Sequence, residues 1–473
     1  MTDAPAILWF RNDLRLADHA ALQAAVASGR PVLPVFILDD HSPGPWAMGG
    51  ASRWWLHHSL TSLQQSLADL GATLTLRRGD SVAVIGAIAA QTGAAEVFTG
   101  GSADPWARRV DQAAADALGG RLRRLRTTTL VHPDSVRSKS GGAYSVYTPF
   151  ANACRALGGP KPPAAAPHRL VAAPPPDSER LADWGLLPTS PDWACGLRAT
   201  WTPGEAAAMR RAEAFLTDGL AGYADARDRP ADDGTSMLSP HLHFGEISAV
   251  QLWHMAHQQP NGPAREVFIR ELLWREFCAH LLWHNPGLPE TPLKPEFARM
   301  PWRDDTAALT AWQKGRTGVP IVDAGMRQLW QTGWMHNRVR MIVASFLIKH
   351  LMIPWQAGEA WFWDTLVDAD LASNAGNWQW VAGCGADAAP YFRIFNPVLQ
   401  SRKFDAAGDY LRRFVPELAE LDARRVHAPW EASPQALAAA GVVLGETYPA
   451  PIVDLADGRT RALEAYARIR SAE

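Results

Sequence analysis

Residues 6–10 read AILWF, and the next apolar run, residues 31–38, reads PVLPVFIL. Both are apolar almost throughout, the pattern of strands covered on both faces rather than wet on one. Two further runs, ATLTLRRG at 72–79 and AEVFTG at 95–100, also read as buried strands. Between the four lie ADHAALQAAVAS (17–28), SRWWLHHSLTSLQQSLADL (52–70) and SVAVIGAIAAQTG (81–93), which have the composition and spacing of helices. Strand and helix in alternation imply a doubly wound parallel sheet, a Rossmann-like α/β domain over residues 1–130. Ligands of such folds sit at the carboxyl ends of the strands. No GxGxxG follows the first strand, so a nicotinamide dinucleotide site has no support.

Outward from the sheet the pattern changes. Residues 131–204 are expected to be a connecting segment, rich in Pro and Ala from Gly158 onward (GGPKPPAAAPHRLVAAPPPDSE). Beyond Glu205 strand signals nearly vanish, and residues 205–473 are expected to form a larger all-α domain. A chain of 473 residues is long for one core, which agrees with such a division. Net charge is −2, so any nucleic-acid surface must be a local basic patch. The four cysteines, Cys154, Cys195, Cys278 and Cys384, show no metal-ligand spacing and read as reduced thiols of a cytoplasmic protein. The N-terminus has no basic leader and no apolar run is long enough to span a bilayer, so no membrane role is expected. A monomer is expected.

The chain carries 21 Trp and only 7 Tyr. Buried indoles supply large apolar area with one N–H to satisfy, and they also stack on planar ligands and pass single electrons. In FIRELLWREFCAHLLWHNP, Glu271 and Trp274 lie three apart and share a helical face. In GWMHNRVRMIVASFL, Trp334, Asn337, Arg338 and Met341 fall at i, i+3, i+4 and i+7, a mixed stripe that suits a cleft wall or a domain contact. His336 lacks metal-ligand companions and reads as structural. Asp368 and Asp370 precede SNAGNWQWVAG (373–383), read as a turn of small residues that lets a flat ligand approach. They offer fewer oxygens than a hard cation wants, so a salt bridge to an arginine is the stronger use and no metal is expected. Thr235, Ser236 and Ser239 in DGTSMLSPHLHFGEIS stand ahead of a helix, where hydroxyls and free N–H groups cradle phosphate. Together these stretches suggest a phosphate-bearing planar cofactor inside the helical domain.

These residues carry a resemblance. From LWFRNDLRLADHAAL through TSMLSPHLHFGEIS, ELLWREF, GVPIVDAGMRQLWQTGWMHNRVRM and NWQWVAGCGADAAPYFRIFNPVLQSRKFD to YPAPIVDLADGRTRALEAY, the chain resembles the photolyase/cryptochrome flavoproteins, and most of all the class I cyclobutane pyrimidine dimer photolyases. The resemblance implies FAD, active as FADH⁻, with its diphosphate at Thr235, Ser236, Met237, Leu238 and Ser239 and with Tyr223 and Trp334 nearby. Arg340 would pair with Asp368 beside the flavin ring, Asp370 would lie close, and Asn374 would face N5. The substrate implied is UV-damaged DNA with a cyclobutane pyrimidine dimer, split by an electron that light drives from the flavin. Trp274 and Trp380 would wedge the dimer, Asn337 and Met341 would touch it, and Glu271 would bond one base edge. An apolar pocket would favour a protonated, donating Glu271.

Photolyases for the (6-4) photoproduct carry histidines where this chain has Asn337 and Met341, which speaks against that activity. Trp378, Trp355 and Trp302 would relay electrons to the flavin from the surface. Arg227, Arg338, Arg393, Arg402 and Lys403 are the candidates for DNA phosphates. The α/β domain would hold an antenna chromophore, 8-hydroxy-5-deazaflavin or methenyltetrahydrofolate, and GGSADPWARRVDQ (100–112) is similar to a stretch of the deazaflavin binders. A blue-light receptor of the cryptochrome kind is the alternative, although such proteins usually add a long polar tail and this chain stops soon after RALEAYARIRSAE.

Overall fold

The computed structural model describes residues 4–388 and 392–470. Three residues of the NWQWVAGCGADAAPYFRIFNPVLQSRKFD motif, 389–391, lie outside the described part.

Five parallel strands, β1 (Ala6–Phe10), β2 (Val32–Leu38), β3 (Thr75–Arg78), β4 (Glu96–Gly100) and β5 (Leu122–Leu125), form one sheet in the order β3-β2-β1-β4-β5. Ala6 stands opposite Val32 on one side and Glu96 on the other, so β1 is the central strand at which the winding reverses. Its five residues are all buried, and their two-residue period divides them between two cores. Ala6, Leu8 and Phe10 pack with Ala21 and Leu22 of α1 (Ala20–Ala27) and with Trp54 and Trp55 of α2 (Gly50–Asp69), whereas Ile7 and Trp9 pack with Ile85 and Ile88 of α3 (Ser81–Thr92). At ~1.5–3 kcal/mol for each large apolar side chain buried, these two layers are what hold the sheet flat against its helices. β5 was not anticipated: LRRL exposes both arginines and offers too short an apolar run to read as a strand.

The segment 131–204 is partly regular. It holds a helix over Tyr147–Ala156 and short turns at Leu181–Trp184 and Cys195–Thr200. Its extended part runs along the outer side of the sheet. Val32 N–H donates to Val171 O, Ala173 N–H to Val32 O, and Glu179 N–H to Leu76 O, so the connector covers the β2/β3 margin that would otherwise stand open. Leu170, Leu181 and Trp184 then join the α2 core.

Among the described residues everything after Glu205 is helical or irregular, apart from one isolated bridge between Leu444 and Tyr448. Four helices matter for function: Pro263–His284, Asn337–Ser345, Trp355–Thr365 and Leu371–Ala382. The last contains the stretch expected as a turn. SNAGNWQW is helical because the Asp370 side chain accepts from Ser373 N–H at its start, Gly383 ends it at φ 92°, and it packs against Pro263–His284 and Trp355–Thr365. Tertiary packing overrides the poor helix propensity of Gly and Asn.

The two halves are pinned by the segment after β1. Arg15, 1% exposed, donates to the carbonyls of Ala17, Asp18, Thr127 and Gly245. Glu205 accepts from Leu16 and Ala17 N–H, and Trp55 Nε1 donates to Glu246.

Candidate active site

The four helices converge on a cavity of about 260 Å³, well above the ~150 Å³ that houses one benzene-sized ring. Glu271 and Trp274 enter from Pro263–His284, on one face as their spacing requires. Asn337, Arg340, Met341 and Ala344 come from the next helix, Phe362 and Leu366 from the third and its end, and Asn374, Asn377, Trp378 and Trp380 from the fourth. Asp368 and Ala369 close the wall between the last two. Trp274 Nε1 donates to Asn377 Oδ1 at 3.1 Å, and Trp380 Nε1 to Asp387 O at 3.1 Å, so both indoles are held by their N–H groups, and Trp274 also packs against Tyr147 at 4.9 Å. Arg340 Nη2 donates to both Asp368 oxygens, at 2.9 and 3.1 Å, and its Nε to Met335 O at 2.7 Å. Asn374, 8% exposed, gives Nδ2 to Glu359 O at 3.0 Å and keeps Oδ1 for the cavity it lines.

Several expectations change. The helix begins at Asn337, with His336 as its buried cap accepting from Arg338 N–H, so Trp334 precedes it. Counted from Asn337, the cavity face is Asn337, Arg340, Met341 and Ala344, and Arg338 falls outside it. Glu271 does not sit in apolar surroundings. Its side chain is 36% exposed, Arg227 Nη1 donates to its Oε1 at 2.5 Å, and Arg270 lies 3.9 Å away. Arg227 in turn is only 16% exposed, and its guanidinium is paired with Glu271. Asp370 faces away from this cavity into a second one, described below.

The hydroxyl-bearing loop adjoins the site through Trp334. Trp334 Nε1 donates to Ser239 Oγ at 3.4 Å, and the Arg340 guanidinium lies 5.8 Å from the Trp334 ring. Thr235, Ser236 and Met237 are half-buried, Leu238 is buried, and Met237 takes a left-handed backbone at φ 52°. The helix they precede, Ser239–His243, is only one turn long. Tyr223 is buried against Phe215 and Phe268, with burial pushing its phenol up to about 12.

Trp378, which lines the cavity, and Trp355 are 3% and 2% exposed, and Trp302 is half-buried against the same core. Trp378 packs edge-on to Phe362 at 5.0 Å. Of the basic candidates, Arg338 pairs with Asp228 at 2.8 Å and lies over Phe404 at 4.4 Å. Arg393, Arg402 and Lys403 are exposed, Arg402 within 3.3 Å of Glu431 and Lys403 5.0 Å from the Phe404 ring.

A second cavity opens at the carboxyl ends of β1, β2 and β4, the point where the winding reverses. Trp9, Arg11, Asp39, Ser102, Asp104 and Trp106 line it from the sheet side, His243, Arg275, Trp363 and Asp370 from the helical side. Burial, with Asp370 nearby, pushes Asp104 up to about 7. Burial works in the same sense on Asp370, but His243, 3.8 Å away, outweighs it and holds that carboxyl well below the usual range.

Residues 6–168 match the DNA photolyase family and residues 268–468 the family described as the FAD binding domain of DNA photolyase. The deoxyribodipyrimidine photo-lyase of Agrobacterium fabrum is 52% identical over 99% of this chain and 98% of its own. The chain belongs to the photolyase/cryptochrome family. A crystal structure of a bacterial class III photolyase from Agrobacterium tumefaciens superposes with a TM-score of 0.96 at 51% identity, covering 100% of this chain and 98% of that one. Cryptochrome-1 of Arabidopsis thaliana is 36% identical over 98% of this chain and 70% of its own length. Within the photolyase/cryptochrome family the chain is thus an enzyme of the DNA photolyase kind, with FAD as its cofactor. The class I expectation is not supported, since the similar solved structure is of class III.

The residues present fit a flavin. The Arg340–Asp368 pair offers a donor and an acceptor side by side on the wall, Asn374 adds an acceptor, and Ala344 and Ala369 leave room between them. Asn377, Phe362 and Glu359 were not foreseen. Asn377 bonds an indole 103 positions away on another helix, and Glu359 reaches Asn374 through its backbone, neither of which leaves a trace in spacing. Among the described residues no helix is long and apolar enough to cross a membrane.

Proposed function

We propose that this chain is a class III photolyase that splits cyclobutane pyrimidine dimers in UV-damaged DNA by light-driven electron transfer. The observation that carries the reading is the single cavity onto which Glu271, Trp274, Asn337, Arg340, Met341, Asp368, Asn374, Trp378 and Trp380 all converge. When bound and fully reduced, FAD supplies the electron.

The rest is the work of the chain. Trp274 and Trp380 hold the extruded dimer by stacking, worth ~1–3 kcal/mol per base, and extrusion costs least for a damaged, poorly stacked pair. Glu271, steadied by Arg227, accepts from a base N–H, with Asn337 and Met341 against the other base. No histidine lines this cavity among the described residues, which agrees with a cyclobutane dimer rather than a (6-4) photoproduct. Arg340, Asp368 and Asn374 orient the flavin ring, and the Tyr223 and Thr235–Ser239 region takes the diphosphate end. Trp378, Trp355 and Trp302 carry electrons inward. Arg338, Arg393, Arg402 and Lys403 meet the DNA phosphates. The α/β domain, residues 1–130, holds an antenna, 8-hydroxy-5-deazaflavin or methenyltetrahydrofolate, in the cavity at the sheet end. Residues 131–204 connect it to the catalytic domain, 205–473, in a monomeric cytoplasmic enzyme.

The test is an oligonucleotide with one thymine cyclobutane dimer, incubated with photoreduced protein under blue light and in the dark. Light-dependent recovery of two thymines supports the reading. No recovery from fully reduced, flavin-loaded protein would overturn it in favour of a photoreceptor.

A further inference from the structure

Glu359 is a carboxyl group that none of the roles above uses. It is 0% exposed, and among the described residues neither of its oxygens has a hydrogen-bond partner. Such a group is costly unless it is neutral, and an apolar side chain of the same volume would pack there more favourably. Its position is specific. Trp355, Glu359, Phe362 and Leu366 fall at i, i+4, i+7 and i+11 on one helical face, of which Phe362 and Leu366 line the cavity. The adjacent Gly358 lies directly under the Trp378 indole, where an added Cβ would come within 2.1 Å of the ring. The Glu359 carbonyl accepts from Asn374 Nδ2. Glu359 thus shares a helical face with Trp355 and the cavity-lining Phe362, follows the glycine packed under Trp378, and holds through its backbone the amide that lines the cavity.

We propose that Glu359 is the proton site of flavin photoreduction, a neutral carboxylic acid that releases its proton toward the flavin cavity when an electron arrives through Trp378. This rests on the flavin and electron-relay reading above. The step balances as one electron and one proton into the cavity. The electron is replaced at Trp302 by an external thiol, which is oxidised to a thiyl radical and gives its proton to water, and the Glu359 carboxylate regains a proton from water, so the thiol is the net source of both. The exposed Glu290 is the charged group whose field bears on Glu359, and its segment touches the same helix, where Gln356 Nε2 donates to Glu290 O at 3.3 Å. Burial first and then the Glu290 charge push the Glu359 carboxyl up to about 9, in keeping with a neutral acid at pH 7. Two buried oxygens without protein partners are also suited to an ordered water that passes the proton on.

The test uses flavin-loaded protein with thiol, by light-minus-dark infrared difference spectroscopy. Wild type is expected to lose a carboxylic C=O band on illumination, shifted in D₂O and absent from Glu359→Gln. Photoreduction of Glu359→Gln should slow about 100-fold, the range of a lost general acid, and Glu359→Asp should recover part of the rate. In flavin-free protein the same C=O band should be present at pH 7 and missing from Glu359→Gln. A band that survives Glu359→Gln, or photoreduction at the wild-type rate and without a solvent isotope effect, would overturn the assignment. Repair by chemically reduced wild type is measured alongside. Its failure with the band intact counts against the lesion, whereas loss of the band with repair intact counts against Glu359.

Discussion

At the scale of single residues, the charges around the cavity decide what substitutions do. Glu271 shares its carboxylate with Arg227 and keeps one oxygen for a ligand. Glu271→Gln retains an acceptor of the same length, whereas Glu271→Ala also leaves Arg227 without its partner. A hydrogen bond to a charged group is worth ~1.5–3 kcal/mol, so the alanine variant should bind a dimer-bearing oligonucleotide about tenfold more weakly than the glutamine variant, by fluorescence anisotropy. Glu359 makes a second prediction that needs no flavin. Its folded-state value, about 9, lies above its ordinary 4.5. The folded protein therefore keeps a proton that the unfolded chain has lost, and stability falls as pH rises from about 4.5 to about 9. Glu359→Gln removes this slope. It should be more stable than wild type in denaturant titrations at pH 8 and lose that advantage near pH 4.5. The Glu271–Trp274 pair was legible in the sequence because both residues lie on one helix. Its partner Arg227 was not, being 44 positions away and bonded only through tertiary structure.

The helices set the next scale. Trp355–Thr365 approaches Leu371–Ala382 closely enough that Gly358 must lack a side chain beneath Trp378. Gly358→Ala forces the indole or the helix to move, and overpacking of this kind costs ~1–3 kcal/mol. The expected outcome is a lower denaturation midpoint with a slower photoreduction, while repair by chemically reduced protein is less affected. The Leu371–Ala382 helix depends on its cap. Asp370→Ala removes the acceptor for Ser373 N–H, a loss of about 1 kcal/mol, and Asp370→Asn should restore most of it in the same titration. Periodicity exposed β1, β2 and the Glu271 helix well, because their burial patterns follow the backbone period. It failed for SNAGNWQW, whose helix is imposed by its cap and its neighbours, and for β5, whose arginines hide a strand. It also gave the Asn337 face Trp334 and Arg338 in place of Arg340 and Ala344, since the stripe was counted from Trp334, before the helix begins.

Across the whole molecule, the two halves are joined by buried polar groups that no pattern in the sequence announces. Arg15 satisfies four carbonyls, two of them in distant segments at Thr127 and Gly245. Arg15→Met would leave them unpaired at ~1–3 kcal/mol each. The expected result is a loss of several kcal/mol, with separate unfolding of the two halves in calorimetry where wild type shows one transition. That the chain divides into a parallel sheet and a helical body was legible from its change of periodicity. How the two are docked was not, because the decisive contacts join residues more than a hundred positions apart. The connector along the β2/β3 margin has a further consequence, for synthesis. A sheet whose flank is sealed by Val171–Ala173 and Glu179 waits until that segment has left the ribosome. Until then the nascent chain carries a naked strand margin, and pausing or truncation shortly after residue 130 should favour pairing between neighbouring nascent chains over native closure.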